Sequence, residues 1–304
     1  MAISRTQLVK ELEPGLNALF GLEYKRYENQ HAEIYVTESS DRAFEEEVML
    51  SGFANAQVKA EGQGVSFDTA QETYSARYTH DTVALAFAIT EEAIEDNLYD
   101  RLASRYTKAL ARSMSNAKQV KAAKPLNDGL PSVDNFDSGD GVSLFNTAHT
   151  TVSGTNVKNT LTTQADLNET SLEQALIDIA AMTDERGLRV AARAMKMIIP
   201  SANQFTAERL MKSQGRVGTA DNDINAVVSM GMVPQGYRVN NFLTDTDSWY
   251  LITDVPNGMK MFQRAALKTA MEGDFDTGNV RYKARERYSF GVSDYRGIFG
   301  VEGA

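Results

Sequence analysis

Residues 44–89 constrain this chain more than any other stretch, because they read as two extended arms of one long β-hairpin joined at a glycine-rich tip. The first arm runs from Phe44 to Lys59, and the tip is Gly62-Gln63-Gly64, where glycine accepts the positive φ of a tight turn. In the return arm Val83, Leu85, Phe87 and Ile89 alternate with Thr82, Ala84, Ala86 and Ala88, the period of a strand with two unlike faces. Arms of about 16 residues at ~3.3 Å each reach roughly 50 Å, close to the full diameter of a compact domain of this length. A hairpin that long has too little of its own body to lie on. The expectation is that it rests on a neighbouring subunit and that the protein works as an assembly.

The chain of 304 residues is long enough for a large core, and its 42% hydrophobic and 24% charged content excludes wholesale disorder. A net charge of −10 repels phosphate and disfavours nucleic-acid binding as the main activity. The absence of cysteine removes disulfides, thiolate metal sites and thiol nucleophiles together. The N-terminus has no apolar stretch of signal-peptide length, and no run approaches the ~20 apolar residues of a membrane span. A soluble protein made in a cytoplasm, with no membrane partner, is expected.

Residues 1–40 read as an arm: a short amphipathic helix with Leu8 and Leu12, broken at Pro14-Gly15 and resuming through Leu16, Leu19 and Phe20. Its apolar residues, with Leu22, Tyr24 and Tyr27, favour docking over solvation. The strongest helix follows the hairpin. Thr90 is a candidate N-cap, Glu91 and Glu92 suit the positive end of the dipole, and Ile94, Leu98, Leu102, Tyr106, Leu110 and Met114 recur every four residues. Glu91 to Lys118 spans ~42 Å as a helix, with Pro125 as the latest end. Residues 126–170 are polar and aperiodic, which predicts a functional or partner-contacting segment. Ser171-Leu172-Glu173-Gln174 reads as a capping box, followed by a strand at 195–199 ended by Pro200, a helix at 203–213 and a strand at 248–253. Finally Val280, Tyr282, Ala284, Glu286, Tyr288 and Phe290 alternate with Arg281, Lys283, Arg285 and Arg287, giving a half-buried strand with a four-cation outer face.

Motifs for chemistry are sparse. His31, His80 and His149 are scattered, and His149 reads as a loop histidine held by hydrogen bonds rather than a metal ligand. There is no nucleophile elbow, dinucleotide fingerprint or Walker loop. Asp137-Ser138-Gly139-Asp140-Gly141 and Asp245-Thr246-Asp247 lack calcium-loop spacing and read as Asx turns. No catalytic residue, cofactor site or metal site is predicted. Two charged groups remain: Glu45-Glu46-Glu47 at the hairpin base, and Arg281, Lys283, Arg285 and Arg287 on one strand. Either they are solvated faces, or they meet between subunits and fix register.

The order of arm, hairpin, spine helix, α/β subdomain and terminal strands resembles the major capsid protein of tailed bacteriophages. Phe87-Ala88-Ile89-Thr90-Glu91-Glu92-Ala93-Ile94-Glu95-Asp96-Asn97-Leu98 looks like the strand-to-spine junction of the Mu-like major head subunit. Asp140-Gly141 through Leu144-Phe145 to His149, then Asn156 and Asn159, is similar to that family's central loop. Leu243 to Tyr250 and Arg285 to Gly297 look like its later strands. The resemblance implies an α+β, two-lobed subunit. It divides the chain into an N-terminal arm (1–40), an extended inter-subunit hairpin (41–89), a peripheral lobe with the spine helix (90–170), an axial lobe (171–256) and return strands (257–304). It implies no enzymatic activity, self-assembly into hexamers and pentamers, and an icosahedral virion shell around double-stranded DNA held without sequence-specific binding. It further implies a separate scaffold protein, a portal and a decoration protein as partners. Some relatives cross-link the hairpin to a neighbour through a Lys–Asn bond; Lys59 lies on the hairpin, but no acceptor is identifiable and no cross-link is predicted. An encapsulin-type compartment shell of the same fold is the alternative, and a soluble α/β enzyme is a remote one.

Overall fold

The computed structural model describes residues 5–90, 92–93, 99–216, 223–274 and 278–304. Two four-stranded sheets organise the chain. The first has the order β1 (Val36–Ser39), β10 (Met259–Gly273), β11 (Val280–Val292), β4 (Asp81–Ile89), with β1 parallel to β10 and the other pairs antiparallel. Strand β11 follows its alternation: Val280, Tyr282, Ala284, Glu286 and Tyr288 are buried, while Arg281, Lys283 and Arg285 face solvent.

The buried face lies on helices. Helix α1 (Arg5–Arg26) places Leu16 and Phe20 with Leu110, Ala111 and Met114 of the spine helix α2 (Tyr99–Asp128) and with Tyr282 in one apolar cluster. The N-terminal arm therefore docks on its own chain. The break expected at Pro14 does not occur: α1 runs through it. Leu16 and Phe20, four residues apart, lie on one face of α1. Pro125 likewise lies inside α2 rather than beyond its end. Leu126 and Leu130, both fully buried, hold this last turn on the core.

The buried stripe of α2 is Ala103, Thr107, Leu110, Ala111, Met114, Lys118, Ala122 and Leu126. Tyr106, expected in the core, is 49% exposed. A row spaced strictly every four residues drifts by ~40° per step, so it leaves the contact face where a mixed three-and-four spacing stays. Ile94 and Leu98, and the side chains of Leu8, Leu12 and Leu102, lie outside the described residues.

The hairpin is the main correction. Strand β2 (Phe44–Leu50) pairs with β3 (Glu72–Thr79), Phe44 opposite Thr79 and Leu50 opposite Glu72. The expected return arm, 81–89, is instead β4 and pairs with β11, Ile89 opposite Val280. Residues 72–79 and 81–89 both alternate, and alternation alone names no partner. His80 is the sole residue between them. Beyond Ser51, which donates to the Gln71 carbonyl at 2.9 Å, the two legs continue without strand pairing. They meet at a turn closed by Gln63 N–H on the Ala60 carbonyl, with Gly62 at φ +81°.

The second sheet has the order β12 (Ile298–Val301), β9 (Trp249–Thr253), β7 (Ala194–Ile199), β8 (Tyr237–Val239). It carries the largest core, with Trp249, Tyr250, Leu251, Ile298 and Phe299 fully buried. Helix α3 (Glu169–Ala181) buries Leu172, Leu176 and Ile179, and α4 (Gln204–Lys212) follows β7 as expected. The capping box differs by one turn: Asn168 is the N-cap, and Ser171 is its reciprocal partner.

Residues 129–168, which include the paired two-residue strands β5 (His149–Thr150) and β6 (Asn156–Val157), do not stand away from the body. Leu144, Phe145, His149 and Asn159 have no exposed surface. Part of the polar segment is internal, because Asn159 bonds to this chain's own backbone.

Candidate functional site

The hairpin has a fixed base and a bare tip. At the base, Lys260 of β10 is held between Glu47 at 2.5 Å and Glu38 at 3.2 Å. Burial opposes the lysine's charge, and the two carboxylates outweigh it and raise its pKa. Ser293 bonds to Glu47 and to the Tyr78 hydroxyl, and the Tyr78 ring meets Phe262 edge-on at 4.8 Å. Tyr74 lies beside Tyr295, and a Cβ at Gly139 would sit 2.6 Å from its ring, so the close approach there requires glycine. Farther out, Arg186 donates to Asp68 at 3.1 Å and to the Thr69 carbonyl at 2.9 Å. Past these contacts Phe53, Val58, Val65 and Phe67 point into solvent, Val58 at 100% and Phe67 at 97% exposure. Apolar side chains on an outstretched, anchored ribbon carry a free-energy cost that burial on another surface removes.

Behind the base lies a polar network. Asn159 donates to the carbonyls of Leu144, Tyr295 and Ile298 at 2.7, 3.1 and 3.4 Å. Its Oδ1 accepts from Asn146 N–H at 2.9 Å and faces His149 Nε2 at 3.1 Å. The other ring nitrogen of His149 faces Asp140 at 2.6 Å, and the ring stacks on Tyr295 at 3.8 Å. Burial raises the Asp140 carboxyl, but the hydrogen bonds from His149 and Ser138 prevail and hold it below the usual range. Arg296 bonds to buried Glu185 at 2.6 Å and buried Asp294 at 3.2 Å, and to the Thr183 carbonyl at 2.8 Å. These contacts tie four distant segments together; they assemble no nucleophile. Among the described residues no group of three or more His, Asp or Glu could hold a metal ion. His149 is thus the hydrogen-bonded histidine expected, and Asp247 N–H on Asp245 Oδ1 at 3.1 Å makes the expected Asx turn.

The charged residues singled out from sequence separate into used and free. Glu47 is committed to Lys260, Glu45 accepts from Ser40 at 2.7 Å, and exposed Glu46 pairs with Arg77 at 3.7 Å. Arg281 pairs with Asp274 at 2.5 Å, and the Arg287 side chain reaches the His80 carbonyl at 3.5 Å. Lys283, Arg285 and Lys59 are exposed without a carboxylate partner among the described residues. Lys268 sits directly opposite Arg285, adding a third cation to that face. Sequence reasoning did not find the Asn159–His149–Arg296 network. Asp140, His149 and Asn159 fall in one loop that the sequence singled out, but Arg296 lies 156 positions from Asp140 and no local spacing links it to them.

A sequence profile described as phage capsid protein matches residues 73–301. The chain belongs to the phage capsid protein family. As a capsid-family protein it is a structural protein, and its fold is that of solved capsid subunits. The virus-like particle from Pyrococcus furiosus aligns over 94% of this chain and 98% of its own, with a TM-score of 0.53 and 9% identity. The procapsid of bacteriophage JBD30 aligns over 99% of this chain and 77% of its own, with a TM-score of 0.52 and 14% identity. The capsid of Myoviridae phage XM1 aligns over 89% and 90%, with a TM-score of 0.51 and 12% identity. No curated protein sequence matches the capsid chain.

Proposed function

We propose that this chain is the major capsid protein of a tailed bacteriophage, assembling into hexamers and pentamers of an icosahedral head that encloses double-stranded DNA. The observation that carries the reading is the hairpin: its base is fixed by Lys260, Tyr78 and Arg186, and its apolar tip is bare. In an assembly the tip lies over the next subunit, and Glu46, Lys59, Lys283 and Arg285 are its candidate polar contacts. Many modest interfaces of this kind, multiplied by closed symmetry, stabilise a shell whose single contacts are weak. The motif order favours the Mu-like branch, with scaffold, portal and decoration proteins as partners and the virion as destination.

Deleting residues 55–72 removes the tip together with the Arg186 partners Asp68 and Thr69, and leaves the Lys260 and Tyr78 anchors of the base. The expected result is a folded subunit that forms no stable shells in electron micrographs; normal shells from the deletion refute the assignment. The likeness to a virus-like particle over nearly its whole length supports a second reading, an encapsulin-type compartment shell. Particle contents separate the two: DNA for the first, protein cargo for the second.

A further inference from the structure

Between Arg101 and Asn127 the sequence has seven lysines and arginines and no aspartate or glutamate, in a chain of net charge −10. Three of the seven are used within the chain. Lys118 pairs with buried Glu286 at 3.3 Å, Lys121 with Asp81 at 2.6 Å, and Lys124 with Asp128 at 3.8 Å. Arg105, Lys108 and Arg112 are exposed and have no carboxylate partner among the described residues.

These three occupy positions i, i+3 and i+7 of α2, which puts them in one row along its outer face. Nothing in the fold rewards that row. Lys108 and Arg112 are like charges four apart, a spacing that destabilises a helix, and the apolar contacts of α2 lie on its other side. Lys108 and Arg112 also line a groove of about 550 Å³ between α1 and α2, floored by Ser113 and Asn116. Glu23, on the far wall, already accepts from Tyr27 at 3.2 Å and faces Arg26 at 3.6 Å. The groove thus offers cations and small polar groups to an anion.

We propose that Arg105, Lys108 and Arg112 form a contact row for the phosphate backbone of duplex DNA. Arg105 to Arg112 rises ~10.5 Å along the helix, about three phosphates of one strand at ~3.4 Å each. The other cationic face, with Lys283 and Arg285, differs in kind. Its cations stand opposite Ala86 and Ala84 of β4 on a flat sheet, a surface suited to another protein. The inference rests on the capsid reading and adds the place where the enclosed genome touches the subunit. Three contacts hold DNA loosely and without sequence preference.

The test is fluorescence anisotropy of a labelled duplex with the full-length, unassembled subunit, at salt between about 50 and 200 mM. Three neutralised phosphates give a log–log salt slope near −2.7, so the wild type loses about 40-fold in affinity across that range. In the triple variant Arg105→Gln, Lys108→Gln, Arg112→Gln, affinity at low salt falls at least about tenfold and the slope flattens. Arg112→Gln alone, a milder change, lowers the slope magnitude by about one. Lys283→Gln with Arg285→Gln leaves DNA binding unchanged. The proposal is overturned if the triple variant binds like the wild type. It is equally overturned if the wild type ignores DNA and the row instead captures an acidic polypeptide such as polyglutamate. Shell formation is scored separately by electron microscopy. Triple-variant shells at normal yield with undiminished DNA binding refute the contact row and leave the capsid reading standing.

Discussion

Arg296→Met removes the guanidinium at the centre of the buried network while keeping much of its length. The wild-type side chain meets Glu185, Asp294 and the Thr183 carbonyl at 2.6, 3.2 and 2.8 Å and lies 4.4 Å over the Tyr295 ring. All three charged side chains are less than a tenth exposed. The variant leaves two carboxylates and a carbonyl without that donor, and breaking a buried ion pair from one side costs about 3–5 kcal/mol. With an m-value near 3 kcal/mol/M, a loss of about 4 kcal/mol moves a urea midpoint by about 1.3 M. Trp249 is the chain's single tryptophan and is wholly buried, so its fluorescence reports unfolding directly. The deficit also has a pH signature. Burial already raises the Asp294 carboxyl, with Arg296 acting against it. Without the arginine, the folded-state pKa of Asp294 rises further above its unfolded value. Protonation then favours the folded state, so the variant regains stability relative to wild type as pH falls through it. Adding Glu185→Gln to Arg296→Met recovers part of the loss at neutral pH. A midpoint shift equivalent to less than about 1 kcal/mol, or a deficit that grows in acid, refutes the account.

His31 supplies a second pH dependence. Its Nδ1 sits 3.0 Å from the Gln119 amide nitrogen, which donates to it, and burial together with Lys118 lowers its pKa to about 4. The unfolded chain binds this proton near pH 6.5 and the folded one does not, so stability falls by up to about 3 kcal/mol between pH 6.5 and 4. His31→Gln flattens that slope in unfolding titrations, and an unchanged slope refutes the assignment. Met114→Ala empties a site with 1% exposure between α1, α2 and the first sheet, and costs about 2–5 kcal/mol in urea titrations; a negligible shift removes that cluster from the core. Lys283→Glu with Arg285→Glu leaves the unfolding midpoint within about 0.5 kcal/mol and lowers shell yield by sedimentation, as expected of exposed cations that act only between subunits. Unchanged yield retires them as contacts.

How far the sequence could be read depended on whether the deciding contacts were local. Strand β11 was legible because its side chains alternate between a packed face and water, and that period survives any change of partner. The strand at 195–199 and the strand at 248–253 were legible for a similar reason, as short apolar runs bounded by breakers. The hairpin was half legible. Its tip and the inner half of its first arm, Phe44–Leu50, were placed, but 72–79 and 81–89 both have a strand period, and only tertiary pairing sends the second to β11. Pro14 and Pro125 misled because the local cost of proline, ~3 kcal/mol, was outweighed by burying Leu16 and Phe20 on one side and Leu126 on the other. The central polar segment was the least legible. Asn159 looks like a loop residue until its three carbonyl partners, two of them beyond position 290, are in view. The cation row on α2 was visible as composition, but the three free members were recognisable only once the structure had paired Lys118, Lys121 and Lys124.

The passage from β3 to β4 across His80 has a mechanical consequence. Its ring is buried, with Ser40 and Ser289 each 2.9 Å from one nitrogen, so this corner has little slack. The ribbon and the sheet beneath it are one continuous piece of chain, with no pliant joint to absorb a pull. A tug on the outer end enters the sheet across a single residue and spreads through the ladder to β11. A lattice strung from such parts shares load directly between the bodies of its members.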